Sequence, residues 1–291
     1  MQALIYYIAL PFIYLLSLLP FSVLYALSDG MYFLIYQVLG YRKDVVLDNL
    51  RKSFPQKTDE EIVEISKKYY RHLCDLFLET FKTLTITNRK MLKHCRVSKD
   101  AKDLFDNVAA ENRNVILVMG HNGNWEWGGN SFSIECQQQL FVIYHPLSNK
   151  YFDGLMYKMR SRFGTKLIPM KDTFKAMVSN KSGLNATAFI ADQTPAPDNA
   201  YWTNFLNQDT PVFWGTEKIS KKMNYPVIYV NIEKYKRGHY ELLAEMLCEN
   251  PKETGEGEIT ELFTRRLEQD IIAQPETWLW SHRRWKHKRA K

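Results

Sequence analysis

The sequence predicts an α/β fold with a mixed, mostly parallel sheet flanked by helices. From about residue 100 onwards, short apolar runs alternate with segments of helical periodicity, which is the order that βα units produce. The run at residues 114–119 (NVILVM) is continuously apolar, as expected of a strand buried on both faces. A Lys-Arg-Gly turn at residues 236–238 separates two further runs and indicates one antiparallel pair within the sheet.

Before this region, the sequence predicts an N-terminal hydrophobic membrane-anchor helix. No charged side chain occurs in residues 1–28, and residues 3–27 are long enough to cross a bilayer, for which about 20 apolar residues suffice. A secretory signal peptide fits poorly, because there is neither a basic start nor a small-residue cleavage pattern. Pro11 and Pro20 would kink a continuous helix, so a tilted, broken or half-inserted anchor is also compatible with the sequence. The alternative is a buried core helix.

Basic residues after the anchor predict its orientation. Arg42, Lys43, Arg51 and Lys52 lie close to the membrane-proximal window, and positive charge favours the cytoplasmic side. We therefore expect residues 1–40 to form the anchor and an interfacial segment, and residues 41–291 to form a domain that faces the cytoplasm.

The remaining elements follow from periodicity. Residues 58–85 start with acidic side chains, which favour a helix N-terminus, and then repeat apolar residues at spacings of three and four. Further helices are expected at residues 148–163, 173–180 and 258–272. Apolar runs predict strands at residues 140–144, 166–168, 186–191, 226–232 and 240–246.

Composition restricts the partners and the compartment. The net charge of +7 suits an anionic membrane, an acidic protein or nucleic acid. The four cysteines contain no C-x-x-C pair, which argues against a disulfide framework and a zinc site and fits a reducing compartment. Residues 278–291 are rich in Trp, Lys and Arg. With an apolar N-terminus on the same chain, this favours an interfacial membrane contact over a nucleic-acid tail or a solvated terminus, so no nucleic-acid partner is expected.

Candidate chemistry is concentrated at residues 120–129 (GHNGNWEWGG), directly after the buried strand. His121 is expected at the carboxyl edge of the sheet, where open α/β folds place their ligands. Glu126, in the first turns of a following helix, can fold back onto one imidazole nitrogen and leave the other free as a base. Backbone N–H groups at the helix start, together with Asn124, are candidates to hold an oxyanion.

Other chemistries are less well supported. A metal site would need a third ligand, and no H-E-x-x-H motif is present, so neither a metal nor a cofactor is expected. A serine hydrolase would need G-x-S-x-G, which is also absent.

The segment at residues 120–126 resembles the H-x4-D/E motif of glycerolipid acyltransferases. It is most similar to the version in the bacterial late acyltransferases of lipid A biosynthesis. Residues 42–55, 160–164, 191–193 and 211–215 resemble further segments of that family in the same order. Trp214 stands where the family commonly has Phe, and Asn122 and Trp125 are less apolar than the usual residues, which leaves the acceptor open.

The resemblance implies direct transfer of a fatty acyl chain from acyl-acyl carrier protein, or acyl-CoA, to a lipid hydroxyl at the inner membrane. His121 would be the base and Glu126 its partner. Arg160 or Arg162 would stabilise the oxyanion or bind a phosphate. Asp192, with Gln193, would brace the site or hold an arginine. Lipid A is the expected acceptor. An aminolipid or phosphoglycolipid acceptor, a lipid hydrolase or thioesterase using the same pair, and a non-catalytic lipid-binding protein remain alternatives.

Overall fold

The centre of the molecule is a seven-stranded sheet, described by a computed structural model that covers residues 2–289. Its strands are β1 (Cys95–Val97), β2 (Val115–Met119), β3 (Gln139–Tyr144), β4 (Lys166–Pro169), β5 (Asn185–Ile190), β8 (Val227–Lys236) and β9 (His239–Cys248), while β6 (Ala200–Phe205) and β7 (Gln208–Phe213) form a separate hairpin. The order across the sheet is β1-β9-β8-β2-β5-β3-β4. All neighbours are parallel except β8 and β9, so the predicted mixed, mostly parallel sheet is confirmed.

Burial on both faces explains why the central strands are so apolar. All five residues of β2 are buried, and they alternate between two hydrophobic clusters on opposite faces. Ile116 and Val118 pack on one side, Leu117 and Met119 on the other. A strand in this position has no solvent-facing residue and therefore shows no alternation in sequence.

Helices cover both faces and the carboxyl edge of the sheet. They are α1 (Gln2–Leu18), α2 (Phe21–Tyr32), α3 (Lys43–Ser53), α4 (Asp59–Lys82), α5 (Asn88–His94), α6 (Lys99–Ala110), α7 (Trp125–Glu135), α8 (Lys150–Ser161), α9 (Thr173–Ser179), α10 (Gly215–Met223) and α11 (Glu258–Ala273). The expected helices at residues 58–85, 148–163, 173–180 and 258–272 are confirmed with small shifts at their ends. The start of α4 is fixed by a capping box between Thr58 and Glu61.

The apolar N-terminus is divided into two helices. The helical structure is interrupted between Leu18 and Phe21, because Pro20 has no N–H to continue α1. Pro11, in contrast, lies inside α1 without ending it. The buried Lys82 ammonium of α4 donates to the Ser17 and Leu19 carbonyls at the break. In place of the single anchor helix expected over residues 3–27, the structure therefore has a broken pair.

Within residues 2–289, no helix taken singly has the length and apolar character needed to cross a membrane. One bent pair meets those criteria jointly: residues Phe21–Val38 and Lys43–Ser53, at 86° to each other.

The Trp-rich C-terminus is packed into the protein. We call residues 277–285 the C-terminal strap; it crosses the carboxyl ends of β2 and β5. Trp278, Trp280 and Arg284 are buried there, so the expectation of an interfacial contact is wrong for this part of the tail. Both indole rings belong to the main hydrophobic cluster, where their large apolar area is removed from water. The final positions of the basic tail, 290–291, lie outside the described residues.

Candidate active site

His121 lies in a short loop between the end of β2 and the start of α7. Gly123 in this loop has φ +56°, and a Cβ atom there would stand 1.9 Å from the carbonyl oxygen of Ile232 on β8. Only glycine fits so close an approach in the left-handed region. The loop is therefore held against β8, and this places His121 at the carboxyl edge of the sheet, as predicted.

The imidazole of His121 is held by Asp192, which follows β5. Its Nδ1 lies 2.6 Å from Asp192 Oδ1, and the His121 backbone N–H donates to Asp192 Oδ2 at 2.8 Å. Burial alone would raise the pKa of Asp192, but the neighbouring His121 and the hydrogen bonds from His121 and Trp278 lower that pKa to about 2. Because a charged carboxylate only accepts, Nδ1 carries the proton and Nε2 is left unprotonated, as a base requires.

Glu126 has a different partner from the one predicted. Its carboxylate pairs with Arg160 of α8: the Arg160 Nε–Glu126 Oε2 distance is 2.9 Å and the Nη2–Oε1 distance is 2.5 Å. The expectation that Glu126 folds back onto the imidazole is wrong, because helix α8 brings a guanidinium to it while β5 delivers Asp192 to His121. Burial alone would lower the pKa of Arg160, but Glu126 raises it above its ordinary value.

Asn124 is not free to bind an oxyanion. It is fully buried, its Oδ1 accepts from the Trp127 backbone N–H at 3.0 Å, and its Nδ2 donates to Glu79 at 2.8 Å. The side chain is the N-cap of α7, which corrects its predicted role.

Arg162 also lies away from the chemistry. Its Nη1 donates to the carbonyls of Thr83 and Ile86, just beyond the end of α4. Two positions along a helix turn a side chain to a different face, so Arg160 and Arg162 cannot both point at Glu126. Gln193, in contrast, lies in the site, with its Nε2 3.5 Å from His121 Nε2.

A cavity of about 240 Å³ opens beside these polar groups. His121, Glu126, Arg160 and Gln193 line it. Its apolar wall comes from alternate residues on one face of the sheet: Leu117 and Met119 of β2, Leu140 and Val142 of β3, Ala188 and Ile190 of β5. Gly128 and Gly129 of α7 also line the cavity, and a Cβ atom at Gly128 would stand 2.3 Å from Ile232 Cδ1 of β8, so glycine there lets the helix approach the sheet closely. The site therefore joins a polar mouth to an apolar interior.

Trp278 is a site residue that the sequence interpretation missed. Its indole Nε1 donates to Asp192 Oδ2 at 2.7 Å, although the two residues are 86 positions apart. The only signal in the sequence was the density of Trp in the C-terminus, which equally fits a membrane interface.

Comparison with known proteins gives a match over nearly the whole chain. A sequence model described as "Bacterial lipid A biosynthesis acyltransferase" matches residues 1–287.

The chain belongs to this family.

Curated relatives of this acyltransferase include two proteins of Escherichia coli K12. A lipid A biosynthesis lauroyltransferase is 22% identical over 279 residues, covering 94% of this chain and 89% of the relative. A lipid A biosynthesis palmitoleoyltransferase is 24% identical over 270 residues, covering 92% and 86%. A lipid A biosynthesis acyltransferase of Shigella flexneri matches to the same extent, 24% over 270 residues. The family resemblance predicted from the motifs, and acyltransferase activity with it, are thereby confirmed.

Proposed function

We propose that this acyltransferase moves a fatty acyl chain from an acyl thioester to a hydroxyl of a lipid acceptor in lipid A biosynthesis, with His121 as general base. One observation carries the proposal: the His121–Asp192 pair stands at the mouth of an apolar cavity. A base directed at a polar opening suits the hydroxyl and the thioester carbonyl, and the apolar interior suits the acyl chain.

The reaction is a single acyl transfer without a covalent acyl-enzyme. His121 Nε2 takes the proton of the acceptor hydroxyl while the hydroxyl oxygen bonds to the thioester carbonyl carbon. When the tetrahedral intermediate collapses, the carbon–sulfur bond breaks and the thiolate leaves. The imidazolium returns its proton to that thiolate. Asp192 stabilises the imidazolium between these steps, and general-base assistance of this kind contributes about 10²–10⁴-fold.

Arg160 supplies positive charge at the same cavity. Its pairing with Glu126 uses Nε and Nη2, so the remaining Nη1 is left for a substrate oxygen. We assign it to the developing oxyanion or to a phosphate of a substrate. Glu126 then acts by orienting Arg160.

The donor and the location are parts of the same proposal. The net charge of +7 fits an acidic acyl carrier protein as donor, with acyl-CoA as the alternative, and it fits an anionic membrane surface. The outward face of α1 carries exposed apolar side chains, among them Ile8, Phe12 and Leu15. We place the protein at the cytoplasmic face of the inner membrane, with this face in the lipid.

Substitution of His121 tests the proposal. Purified full-length His121→Ala is incubated with labelled acyl-acyl carrier protein and a lipid A precursor, and the products are separated by mass spectrometry. Loss of transfer by about 10²-fold or more is expected, with unchanged circular dichroism. The control is His239→Ala, which changes a partly exposed histidine at the start of β9 and should retain activity.

Two outcomes would contradict the proposal. Near-normal transfer by His121→Ala would show that His121 is not the general base. Free fatty acid without any acylated lipid from the wild-type protein would mean a thioesterase. The acceptor is identified separately, by searching the lipids of a deletion strain for a species that lacks one acyl chain.

A further inference from the structure

The C-terminal strap contacts the loop at residues 120–124, which carries His121, at several points. The Gly123 backbone N–H donates to the Thr277 carbonyl at 3.1 Å, and Asn122 forms a single antiparallel bridge with Trp278. The Trp278 indole N–H also reaches Asp192 Oδ2 at 2.7 Å. One residue of the strap therefore touches both the loop that carries His121 and the carboxylate that holds its imidazole.

We propose that Trp278 is a positioning residue for the base: its indole N–H fixes the Asp192 carboxylate and sets how strongly His121 holds a proton. This inference rests on the proposed general-base role of His121. Trp278 acts through Asp192. Within residues 2–289, it forms no hydrogen bond with the imidazole itself.

The oxygens of Asp192 have unequal surroundings. Oδ1 faces the imidazole, whereas Oδ2 accepts from both the His121 backbone N–H and the Trp278 indole. Asp192 and Trp278 are 4% and 3% exposed, so bulk water cannot replace a lost donor at Oδ2.

The indole N–H has two effects on the carboxylate. It locks the carboxylate plane, so that Oδ1 stays in line with Nδ1. It also draws negative charge toward Oδ2 and away from the imidazole. Without it, more of the Asp192 charge faces His121, and the imidazolium formed during proton transfer becomes more stable.

Other charged or titratable groups near Asp192 remain in place when Trp278 is replaced. They are His282 and Arg284 of the strap, and Tyr229 of β8. Burial lowers the pKa of His282 to about 4 and that of Arg284 to about 10. His282 is therefore neutral near pH 7 and adds no charge beside Asp192 there.

The strap is itself held by helices α3 and α4. Asn49 Nδ2 donates to the carbonyls of Trp280 and His282 at 2.9 and 3.0 Å. The Tyr69 hydroxyl accepts from the Ser281 backbone N–H at 3.0 Å, and Arg42 donates to the Ser281 carbonyl at 2.9 Å. The segment at residues 42–55, which the sequence interpretation placed next to the membrane, thus anchors the strap two to four residues after Trp278.

A matched pair of Trp variants tests the inference. Trp278→Phe and Trp280→Phe remove the same atoms from the same strap, and both indoles are buried. The Trp280 indole donates to the Pro275 carbonyl at 2.6 Å and does not contact Asp192. The measurement is kcat/KM for acyl transfer as a function of pH, on the full-length protein in detergent.

Trp278→Phe should lower kcat/KM near neutral pH by about tenfold and move the acid limb of the profile upward by about half a pH unit or more. The acid limb of Trp280→Phe should coincide with that of the wild type. In an Asp192→Asn background, Trp278→Phe should produce no further shift of the limb. An unmoved limb in Trp278→Phe, whatever its activity, would show that the indole only packs, and would overturn the inference.

If Trp278→Phe does not fold, 3-benzothienylalanine at position 278 replaces it, because sulfur then stands where the N–H was and the ring shape is kept. The same upward shift is expected, and its absence overturns the inference. His121→Ala separates the two levels. An active His121→Ala enzyme contradicts the proposed function, whereas an inactive one combined with an unmoved Trp278→Phe limb contradicts only the role of Trp278.

Discussion

Asp192 and Glu126 are two shielded carboxylates that hold different cationic groups at one cavity. The Asp192 side chain is 2% exposed and holds the imidazole, while that of Glu126 is 11% exposed and holds a guanidinium. A carboxylate on Nδ1 makes the imidazole a better base. A carboxylate on Arg160 fixes a permanent positive charge in a set orientation. In the proposed mechanism, the His121–Asp192 pair serves proton transfer and the Arg160–Glu126 pair serves charge stabilisation.

Glu126 and Arg160 should behave as a unit in a double-mutant cycle. We expect Glu126→Gln and Arg160→Lys each to lower kcat/KM, and the double variant to lose much less than the sum, with a coupling of about 1 kcal/mol or more. The reason is that either change breaks the same two-point pairing. The measurement is kcat/KM for acyl transfer by the four proteins; additive losses would contradict the shared role.

The low pKa of Asp192 predicts a loss of stability in acid. A carboxyl whose pKa falls to about 2 on folding, from an ordinary value of 3.8, stabilises the native state above about pH 4. That contribution, about 2 kcal/mol, is lost as the pH falls from about 4 through 2. Urea unfolding of the wild type and of Asp192→Asn between pH 6 and pH 3 checks this, and the two curves should converge in acid. Parallel curves would contradict it.

At the scale of elements, a strand, a loop and a helix together position His121. β2 ends at the sheet edge, the loop after it packs on β8 through Gly123, and Asn124 caps α7. The Asn124 amide also rests on the buried Glu79 of α4, which accepts from the hydroxyls of Tyr25 and Tyr240. Burial and nearby Asp75 raise the pKa of Glu79. This network ties the loop to α2, α4 and β9.

Two glycine substitutions distinguish a glycine that is required by close backbone packing from one that only lowers helix propensity. Gly123→Ala should lower the free energy of unfolding by more than about 1 kcal/mol and reduce activity. The reason is that the left-handed φ and the Ile232 carbonyl both exclude a Cβ atom. Gly154 lies in an exposed position of α8, and nothing is within 4 Å of an added Cβ atom. Gly154→Ala should therefore raise the free energy of unfolding by about 0.5–1 kcal/mol. Unfolding free energies and kcat of both variants are the measurement. A Gly123→Ala protein as stable and active as the wild type would contradict the constraint.

At the scale of the whole molecule, the C-terminal strap is held by residues that are far away in the sequence. Arg42 and Asn49 of the N-terminal part hold strap residues more than two hundred positions later. The α1 helix packs through Ile13 against Leu155 and Met159 of α8, the helix that carries Arg160. The opposite face of α1 is left exposed and apolar, next to a domain of net positive charge.

Replacing the exposed face of α1 should release the protein from lipid. Ile8, Phe12 and Leu15 are 58%, 63% and 61% exposed, so changing all three to Asp removes apolar surface without touching the packed side. Co-sedimentation with vesicles of phosphatidylethanolamine and phosphatidylglycerol should fall by roughly tenfold or more. Ile272→Asp, at a 59% exposed residue of α11, is the control and should bind as the wild type does. If both variants bound the vesicles equally well, the exposed face of α1 would not be the membrane contact.

The sequence by itself determined the family, the reaction class, most of the sheet and the position of His121. Strands such as β2 and β5 were readable because continuous burial imposes a local apolar pattern, and the Gly-His motif was readable because its residues are contiguous. The parts missed locally, such as α10 and β1, are short or poor in apolar residues, so that tertiary packing defines them.

Only the tertiary structure decided which carboxylate serves His121. Glu126 is five positions away and Asp192 is 71, yet the adjacent carboxyl ends of parallel strands β2 and β5 bring Asp192 to the imidazole. The same holds for Trp278. The Trp-rich sequence around it fits a membrane interface equally well, and only the structure shows that Trp278 is buried and bonded to Asp192. Periodicity records which face of an element is buried, but not which distant residue meets it there, and the chemistry of this site depends on that meeting.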